Sequence, residues 1–180
     1  MDAAFVEDAE RAVAGEKEAF VRLVMGMERT LYRVSRSILK SDSECVDAVQ
    51  EAVLNAYHAV HTLREPRFFK TWMVQILMNV CYRMAREKTK VVLLPDPERR
   101  ETERSLEAHV ELREALDALE EDLRLAIELH YLEGFTVKEM AEILQVAEGT
   151  IKSRLAKART KLASWFLSDD GERGWVIYER

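Results

Sequence analysis

The sequence predicts an all-α protein of two small helical domains joined by a flexible linker. Helix breakers are scarce, with 6 glycines and 3 prolines in 180 residues, whereas strong helix formers are abundant. Apolar residues recur every three or four positions, which is the period of an amphipathic helix. The pattern stops at 95–105, where PDPERRETERS holds two of the three prolines and almost no apolar residue. We interpret that segment as a solvated linker.

The first half has a helical period from about 3 to 87, with polar gaps at 40–43 and 63–66. After the first gap, Asp42 or Ser43 is suited to cap a helix that runs through Val46, Val49, Val53, Leu54 and Tyr57.

The second gap contains Pro66, which fits the turn before a helix from about Phe69 to Glu87. The spacing of that helix places four of its apolar residues on one stripe: Trp72, Ile76, Val80 and Met84.

The second half begins with an amphipathic pattern interrupted near Asp122, and a further helix is expected to end at Gly134. The residues that repeat at three or four are Leu112, Ala115, Leu116, Leu119, Leu123, Ala126 and Ile127.

The segment 136–162 has helix-turn-helix spacing. Thr136 is expected to cap a short helix ending at Leu144, with Glu139 at the capping-box position. After a turn at 145–148, Gly149 and Thr150 open a second helix. The predicted apolar face of the first helix is Val137, Met140, Ala141 and Leu144, and that of the second is Ile151, Leu155, Ala158 and Leu162.

The second of these helices is strongly cationic. VAEGTIKSRLAKARTKL, residues 146–162, holds five cations and one acid in a chain of formal net charge -6. Such a helix fits the major groove, where long cations reach guanine edges or phosphates. The alternative is a terminal helix whose Lys and Arg residues only solubilise its outer face. The predicted outward residues are Thr150, Lys152, Ser153, Ala156, Lys157 and Lys161, with Arg154 and Arg159 toward the flanks.

Charge is segregated along the chain. Residues 101–148 carry 14 acids against four bases, whereas residues 64–90 carry seven bases against two acids. Each predicted domain therefore ends in a cationic segment, which favours a polyanionic partner.

Several classes of protein fit this sequence poorly. No apolar run is long enough for a membrane span and the first residues are acidic, so we expect a cytoplasmic protein without membrane insertion. Cys45 and Cys81 lack a CxxC partner, and His58 with His61 matches no standard metal spacing. We expect no metal, cofactor or small-molecule substrate.

An enzyme is the first alternative class. A di-iron helical bundle needs Glu three residues before a His, and none of the four histidines has one. The sequence also lacks a glycine-rich phosphate loop and a GxSxG elbow, so we expect no catalytic activity.

Three stretches together resemble the extracytoplasmic-function (ECF, group 4) sigma factors of bacterial RNA polymerase. GTIKSRLAKARTKL resembles the region 4.2 recognition helix, and LRLAIELHYLEGFTVKEMAEIL resembles the helices before it. The third stretch contains the D-x-x-Q-E and F-x-T-W motifs and resembles region 2: DSECVDAVQEAVLNAYHAVHTLREPRFFKTWMVQILMNVCYRMARE. Within it, the segment HTLREPRFFKTW is most similar to Firmicutes members of the family linked to cell-envelope stress.

The resemblance implies a domain order and a set of partners. It places region 2 at 1–90, a linker at 91–106, region 4 at 107–167 and a tail at 168–180. The partners implied are core RNA polymerase, through its beta-prime clamp and beta flap, promoter DNA, and a membrane-anchored anti-sigma factor.

The resemblance also carries contacts onto matching positions. For the melted -10 element, the segment 64–72 would pocket a flipped base, because aromatic rings stack bases while cations hold phosphates. The positions implied for the -10 element are Arg64, Arg67, Phe68, Phe69, Lys70, Trp72, Gln75, Asn79 and Arg83. For Trp72, a place in the core is the better interpretation.

For the -35 element, the implied positions are Gly149, Thr150, Lys152, Ser153, Ala156, Lys157 and Arg159; those for the polymerase clamp are Asp47, Gln50, Glu51 and Asn55. Many relatives have a larger residue at Ala156, and acidic residues where Cys45 and Val46 stand. Without the resemblance, the four clamp positions would be interpreted as an ordinary solvated helix face.

A transcriptional repressor or response regulator is the second alternative class. It shares the C-terminal helix-turn-helix but uses its first domain for ligand, phosphate or dimer contacts. The FFKTW segment and the face formed by Asp47, Gln50 and Glu51 favour the sigma factor.

Overall fold

The first half of the chain forms four α-helices and two short 3-10 turns. A computed structural model describes residues 3–39, 41–91, 112 and 114–168, and within them the chain forms helices and turns without a strand. The helices of the first half are α1 (Ala3–Val13), α2 (Lys17–Ile38), α3 (Asp42–Ala59) and α4 (Phe69–Val91). The all-α prediction is confirmed.

The two predicted polar gaps separate helices, but a third break was not predicted. The chain turns at Gly15, whose φ of +100° lies in the left-handed region that glycine adopts without a Cβ penalty. The helix after the first gap begins at Asp42 itself, so Ser41 occupies the N-cap position instead of Asp42 or Ser43. The helix after Pro66 begins at Phe69 as predicted and continues to Val91, four residues beyond the expected end.

Among the described residues of the second half, a short helical turn at 114–117 is followed by three helices. These are α5 (Glu121–Ile127), α6 (Val137–Leu144) and α7 (Glu148–Ser168), and α5 continues into a π-helical turn at Glu128–Leu132. The predicted interruption near Asp122 lies slightly earlier, at 118–120. Gly134 follows the π-helical turn with a φ of +73°, close to the predicted end.

One continuous apolar core joins the two halves. In the first half Phe69, Met73 and Leu77 are fully buried between helices, and in the second half Leu129, Met140 and Ile151 are. α2 contacts α5, and α4 contacts α6. Apart from Val91, where α4 ends, and Ser168, where α7 ends, the predicted linker and tail lie outside the described residues. The independent folding of 1–90 and 107–167 stays a prediction.

Candidate nucleic-acid interface

The outer face of α7 is open to solvent along its length. All six residues predicted to point outward are exposed: Thr150, Lys152, Ser153, Ala156, Lys157 and Lys161. On the opposite face Ile151, Leu155 and Ala158 are buried and Leu162 is half-buried, so the predicted stripe is confirmed. The helix therefore presents one polar, cationic face as a unit.

A capping box fixes the start of α6, the helix that precedes α7. Thr136 Oγ1 accepts a hydrogen bond from the Glu139 N–H (3.2 Å), and Glu139 Oε2 accepts one from the Thr136 N–H (2.8 Å). This is the predicted capping box, and it satisfies two backbone donors that the helix start leaves unpaired. At the other end Gln145 adopts a left-handed conformation, with φ of +53°, which turns the chain into α7.

Ion pairs hold the flanks of α7 against the start of α5. Arg154 donates to Asp122 Oδ2 (2.5 Å), and Lys161 donates to Glu120 Oε1 (2.6 Å). These residues border an open groove of about 1000 Å³ whose floor includes Thr150, Ser153, Ala156 and Lys157. Lys157 and Arg159 are exposed and make no ion pair with another described residue. The free cations therefore lie where a phosphate backbone can approach.

The segment 64–68 is a second exposed cationic region. Arg64 and Arg67 are exposed, and the Arg67 guanidinium lies 4.8 Å from the centre of the Phe68 ring, which is 39% exposed. Arg67 also pairs with Glu65 at 2.7 Å. An exposed ring beside a cation can stack a base and hold its phosphate.

Phe69 differs from its neighbour because its side chain is fully buried. Its ring makes edge contacts with Phe5 and Phe20, each at 6.1 Å between ring centres, and lies 5.7 Å from Trp72. Trp72 is half-buried and packs against the core, as its helical position favours. In this conformation only Phe68 of the two phenylalanines offers its ring to a base.

Further along α4, Asn79 and Arg83 are exposed. Arg83 forms an ion pair with Glu51 on α3. A residue predicted to contact DNA is therefore paired with one predicted to contact polymerase. Asp47, Gln50 and Asn55 are exposed on the same helix, beside the apolar side chains of Val46 and Leu54, which are also exposed.

Between these regions the two halves of the chain meet through polar side chains that the sequence did not single out. Thr30 Oγ1 and Arg33 Nη1 donate to the carboxylate of Glu133 at 2.5 and 3.1 Å. Ser37 donates to Glu128, and Arg124 donates to the Ser37 carbonyl oxygen at 2.7 Å. Burial raises the pKa of Glu128, and the Ser37 hydroxyl only partly opposes that effect.

Lys70 and Gln75 also face the second half of the chain. Lys70 Nζ donates to the Glu133 carbonyl oxygen (2.6 Å) and lies 4.6 Å from the centre of the Phe135 ring. Gln75 Nε2 donates to the Glu142 carbonyl oxygen at 3.5 Å. Segregation of acids in 101–148 and bases in 64–90 indicates that the two segments are complementary, but it does not locate these contacts, whose acceptors are main-chain oxygens.

Other chemistry receives little support from the described residues. They contain no group of three His, Cys, Asp or Glu side chains placed to hold a metal, and none of their helices could cross a membrane. Cys45 and Cys81 are buried thiols, and burial raises the pKa of both, that of Cys81 to about 12. A thiol with a raised pKa is a poor nucleophile at neutral pH.

Comparison with known families finds a match in each half. Residues 23–91 match the family described as "Sigma-70 region 2", and residues 109–162 match "Sigma-70, region 4".

Similar curated proteins come from several bacteria. The ECF RNA polymerase sigma factor SigM of Mycobacterium tuberculosis is 30% identical over 84% of this chain and 79% of its own length. The ECF RNA polymerase sigma-E factor of Escherichia coli is 30% identical over 83% and 87%. The RNA polymerase sigma factor SigV of Bacillus subtilis is 29% identical over 79% and 87%.

Two solved structures resemble the chain over most of its length. CnrH, in complex with the cytosolic domain of CnrY, superposes with a TM-score of 0.70 at 25% identity, covering 93% of this chain and 99% of CnrH. The sigma factor RpoE of Bartonella quintana, in complex with the anti-sigma factor NepR, gives 0.68 at 25% identity and covers 84% and 98%.

Proposed function

The chain belongs to the extracytoplasmic-function group of the sigma-70 family, and we propose which of its described surfaces binds each promoter element and which binds polymerase. A sigma factor directs RNA polymerase to promoters and starts transcription there. In this chain, α7 reads the -35 element, the segment 64–72 with α4 takes the melted -10 element, and α3 docks on the polymerase clamp.

The observation that carries the proposal is the open outer face of α7. Lys152, Ser153 and Lys157 project together from a helix whose opposite stripe is buried, and the capping box fixes the helix before it. A rigid helix that carries several long donors suits the major groove, where bidentate contacts distinguish bases. The role of each residue at -35 stays a prediction.

The exposed face of α3 supports a protein partner. Asp47 and Gln50 supply acceptors beside the exposed apolar side chain of Leu54. Carboxylates and amides accept bidentate hydrogen bonds from arginine, and exposed apolar groups gain from burial. An arginine-bearing clamp would suit this face, and the beta flap is the expected partner of the second half. The polymerase supplies the catalytic chemistry.

An anti-sigma factor is the proposed regulator. CnrH and RpoE were both solved with a partner of their own, CnrY and NepR, and this chain superposes on each along most of its length. Membrane anchoring of that regulator stays a prediction, as do the cytoplasmic location and the relation to Firmicutes cell-envelope-stress members.

Run-off transcription with purified core polymerase tests the proposal. Core enzyme plus this protein should yield a promoter-specific transcript that core enzyme alone doesn't produce. Duplex binding without any core-dependent transcript would favour the repressor.

An Asp47→Ala variant tests the assignment of α3. It should weaken binding to core polymerase by more than about tenfold, because the partner would lose a charged hydrogen-bond acceptor in a desolvated contact. Core affinity can be measured by fluorescence titration of labelled protein. Glu18→Ala, an exposed acid on α2, is the matched control, and equal core affinity for both variants would contradict the assignment.

A further inference from the structure

Ala156 lies in the floor of the open groove beside α7. The groove has a volume of about 1000 Å³ and runs between the outer face of α7 and the start of α5. Ser153 and Thr160, one turn before and one turn after Ala156, line the same groove and are also exposed. The groove extends to Gly149, where an added Cβ would meet no atom within 4 Å. A base edge can therefore reach Ala156 without displacing a side chain.

Helical geometry places cations on both sides of Ala156. At about 100° per residue, Lys157 projects on the side that faces α5, whereas Lys152 and Arg159 project on the opposite side. The walls of a DNA major groove are sugar-phosphate strands, and its floor consists of base edges. Cations on both flanks therefore favour a docked helix whose middle, which includes Ala156, faces the bases.

The acids at the start of α5 restrict the phosphate contacts on their side of the groove. Glu120 pairs with Lys161 at 2.6 Å, and Asp122 pairs with Arg154 at 2.5 Å, so these four residues contribute no net charge. Lys157 is exposed and makes no ion pair with another described residue. The strand on this side is therefore drawn to Lys157, the immediate neighbour of Ala156.

The turn around Ala156 offers an apolar group to a base. The Ala156 side chain is a methyl group, and its carbonyl oxygen accepts the hydroxyl of Thr160 at 3.1 Å. Thr160 therefore spends its only side-chain donor within α7. A base opposite Ala156 meets a methyl group, with the donors of Ser153 and Lys157 beside it.

Thymine is the DNA base whose major-groove edge carries a methyl group. Contact between that group and the methyl group of Ala156 removes apolar surface on both sides from water, which is favourable. The other bases present acceptors or amino groups at this edge, and such a group loses water against a methyl without gaining a hydrogen bond. The site therefore discriminates by the presence of one methyl group.

We infer that Ala156 selects a thymine in the -35 element through contact between its methyl group and the C5 methyl group of the base. This preference rests on the function proposed for α7 and names the base that the helix reads at one position. The resemblance to sigma factors does not supply the base, because many relatives have a larger residue at this position.

Replacement of thymine by uracil tests the contact, because it removes the C5 methyl group and keeps the base pairing. Core polymerase with the whole protein first selects promoters from a library randomised over the -35 element. Each thymine of the selected element, on either strand, is then replaced singly by uracil. One replacement should weaken promoter binding in a competition assay by about threefold or more. A selected element without thymine, or equal binding after every replacement, would overturn the inference.

A glycine variant assigns the methyl contact to Ala156. The ratio of affinities for the thymine and uracil promoters is measured within each protein, so that a general loss of helix stability cancels. The ratio should fall to about 1 in Ala156→Gly. Ala163→Gly is the matched control, because it places a glycine two turns further along the same helix, outside the groove, and should keep the ratio of the unmodified protein. An unchanged ratio in Ala156→Gly, or an equal fall in both variants, would refute the assignment.

A methyl group on cytosine separates the contact from the other features of thymine. With a C·G pair at the sensitive position, 5-methylcytosine should bind about threefold more tightly than cytosine, because the methyl group is restored. Ala156→Gly should bind the two promoters equally. No difference between cytosine and 5-methylcytosine in the unmodified protein would count against a contact with the methyl group.

The promoter selection distinguishes failure of the proposed function from failure of this base preference. If core polymerase with this protein selects no promoter and makes no transcript beyond that of core alone, the proposed function fails and the base preference fails with it. If a -35 element is selected and transcribed but no thymine methyl group affects binding, the base preference alone fails.

Discussion

The two regions predicted to contact DNA differ in accessibility. The outer face of α7 is open, with Lys157 and Arg159 exposed and not paired to another described residue. At the start of α4, Lys70 and Gln75 are half-buried against the second half of the chain. The surface proposed to read duplex DNA is therefore available in a conformation that covers much of the surface proposed to bind the melted strand.

This difference suggests an order of events. Duplex DNA can be approached by α7 before the two halves separate, whereas a melted strand needs the donors of Lys70 and Gln75 to be released. Lys70 and Gln75 each carry more than one N–H donor, so it is the covering second half, and not a shortage of donors, that would keep a melted strand away. Separation would then be linked to promoter melting.

The largest expected effect lies within the covered region and separates its two phenylalanines. Phe69→Ala should destabilise the protein by about 3–5 kcal/mol, because a fully buried ring is replaced by a cavity. Phe68→Ala should change stability by less than about 0.5 kcal/mol, since that ring is partly exposed, but weaken single-strand binding. Urea unfolding followed by circular dichroism measures the first effect, and oligonucleotide anisotropy measures the second.

A comparable loss of stability in both phenylalanine variants would contradict the distinction between them. So would unchanged single-strand binding by Phe68→Ala.

Local signals made the helix-turn-helix predictable from sequence. The capping box of Thr136 and Glu139 and the stripe of Ile151, Leu155 and Ala158 depend on residues three or four positions apart, and all are confirmed. The break at Gly15 was missed because the apolar period continues on both sides of it, and only its positive φ reveals the turn.

The contact between the halves could not be located from sequence. Glu133 lies 63 residues from Lys70 and 100 from Arg33, and no local pattern links positions so distant. Burial of Phe69 beside an exposed Phe68 was also beyond prediction, since two adjacent aromatic residues give no indication of which one faces inward. Charge segregation indicated that the segments are complementary without stating which side chains meet.

The next effect concerns the open region and compares two of its cations. Lys157→Ala should reduce the slope of log affinity against log salt for duplex DNA by about 1, because one exposed, unpaired cation that a phosphate could approach is removed. Arg154→Ala should reduce it less, since Arg154 is largely buried and already paired with Asp122. Anisotropy titrations of a duplex at several salt concentrations give both slopes. Equal reductions would remove the distinction between free and paired cations.

The smallest effect is a pH dependence of closure, which here means the packing of the second half of the chain on the first, and it depends on Glu128. Burial raises the pKa of this carboxyl group; Ser37, Arg124 and Arg33 oppose the shift, and Asp117 adds to it. A raised pKa means that the docked state holds the proton more tightly than the free side chain does. The bound proton therefore stabilises the docked state fully at pH values below 4.5, the ordinary pKa of the group. This stabilisation is lost as pH rises through the raised pKa.

The closed fraction should therefore fall with rising pH across that window, and Glu128→Gln should flatten the dependence because its amide stays neutral. Linkage limits the difference in slope between the two proteins to about one proton per closing event. Nitroxide labels at Glu10→Cys on α1 and Ser164→Cys on α7, both exposed positions, report the distance between the halves by electron-electron distance measurement. Measured in both proteins over a pH series, they give this difference directly and cancel the titration of other acids. Parallel curves would show that Glu128 is equally solvated in the open and closed states, which would contradict its burial at the contact between the halves.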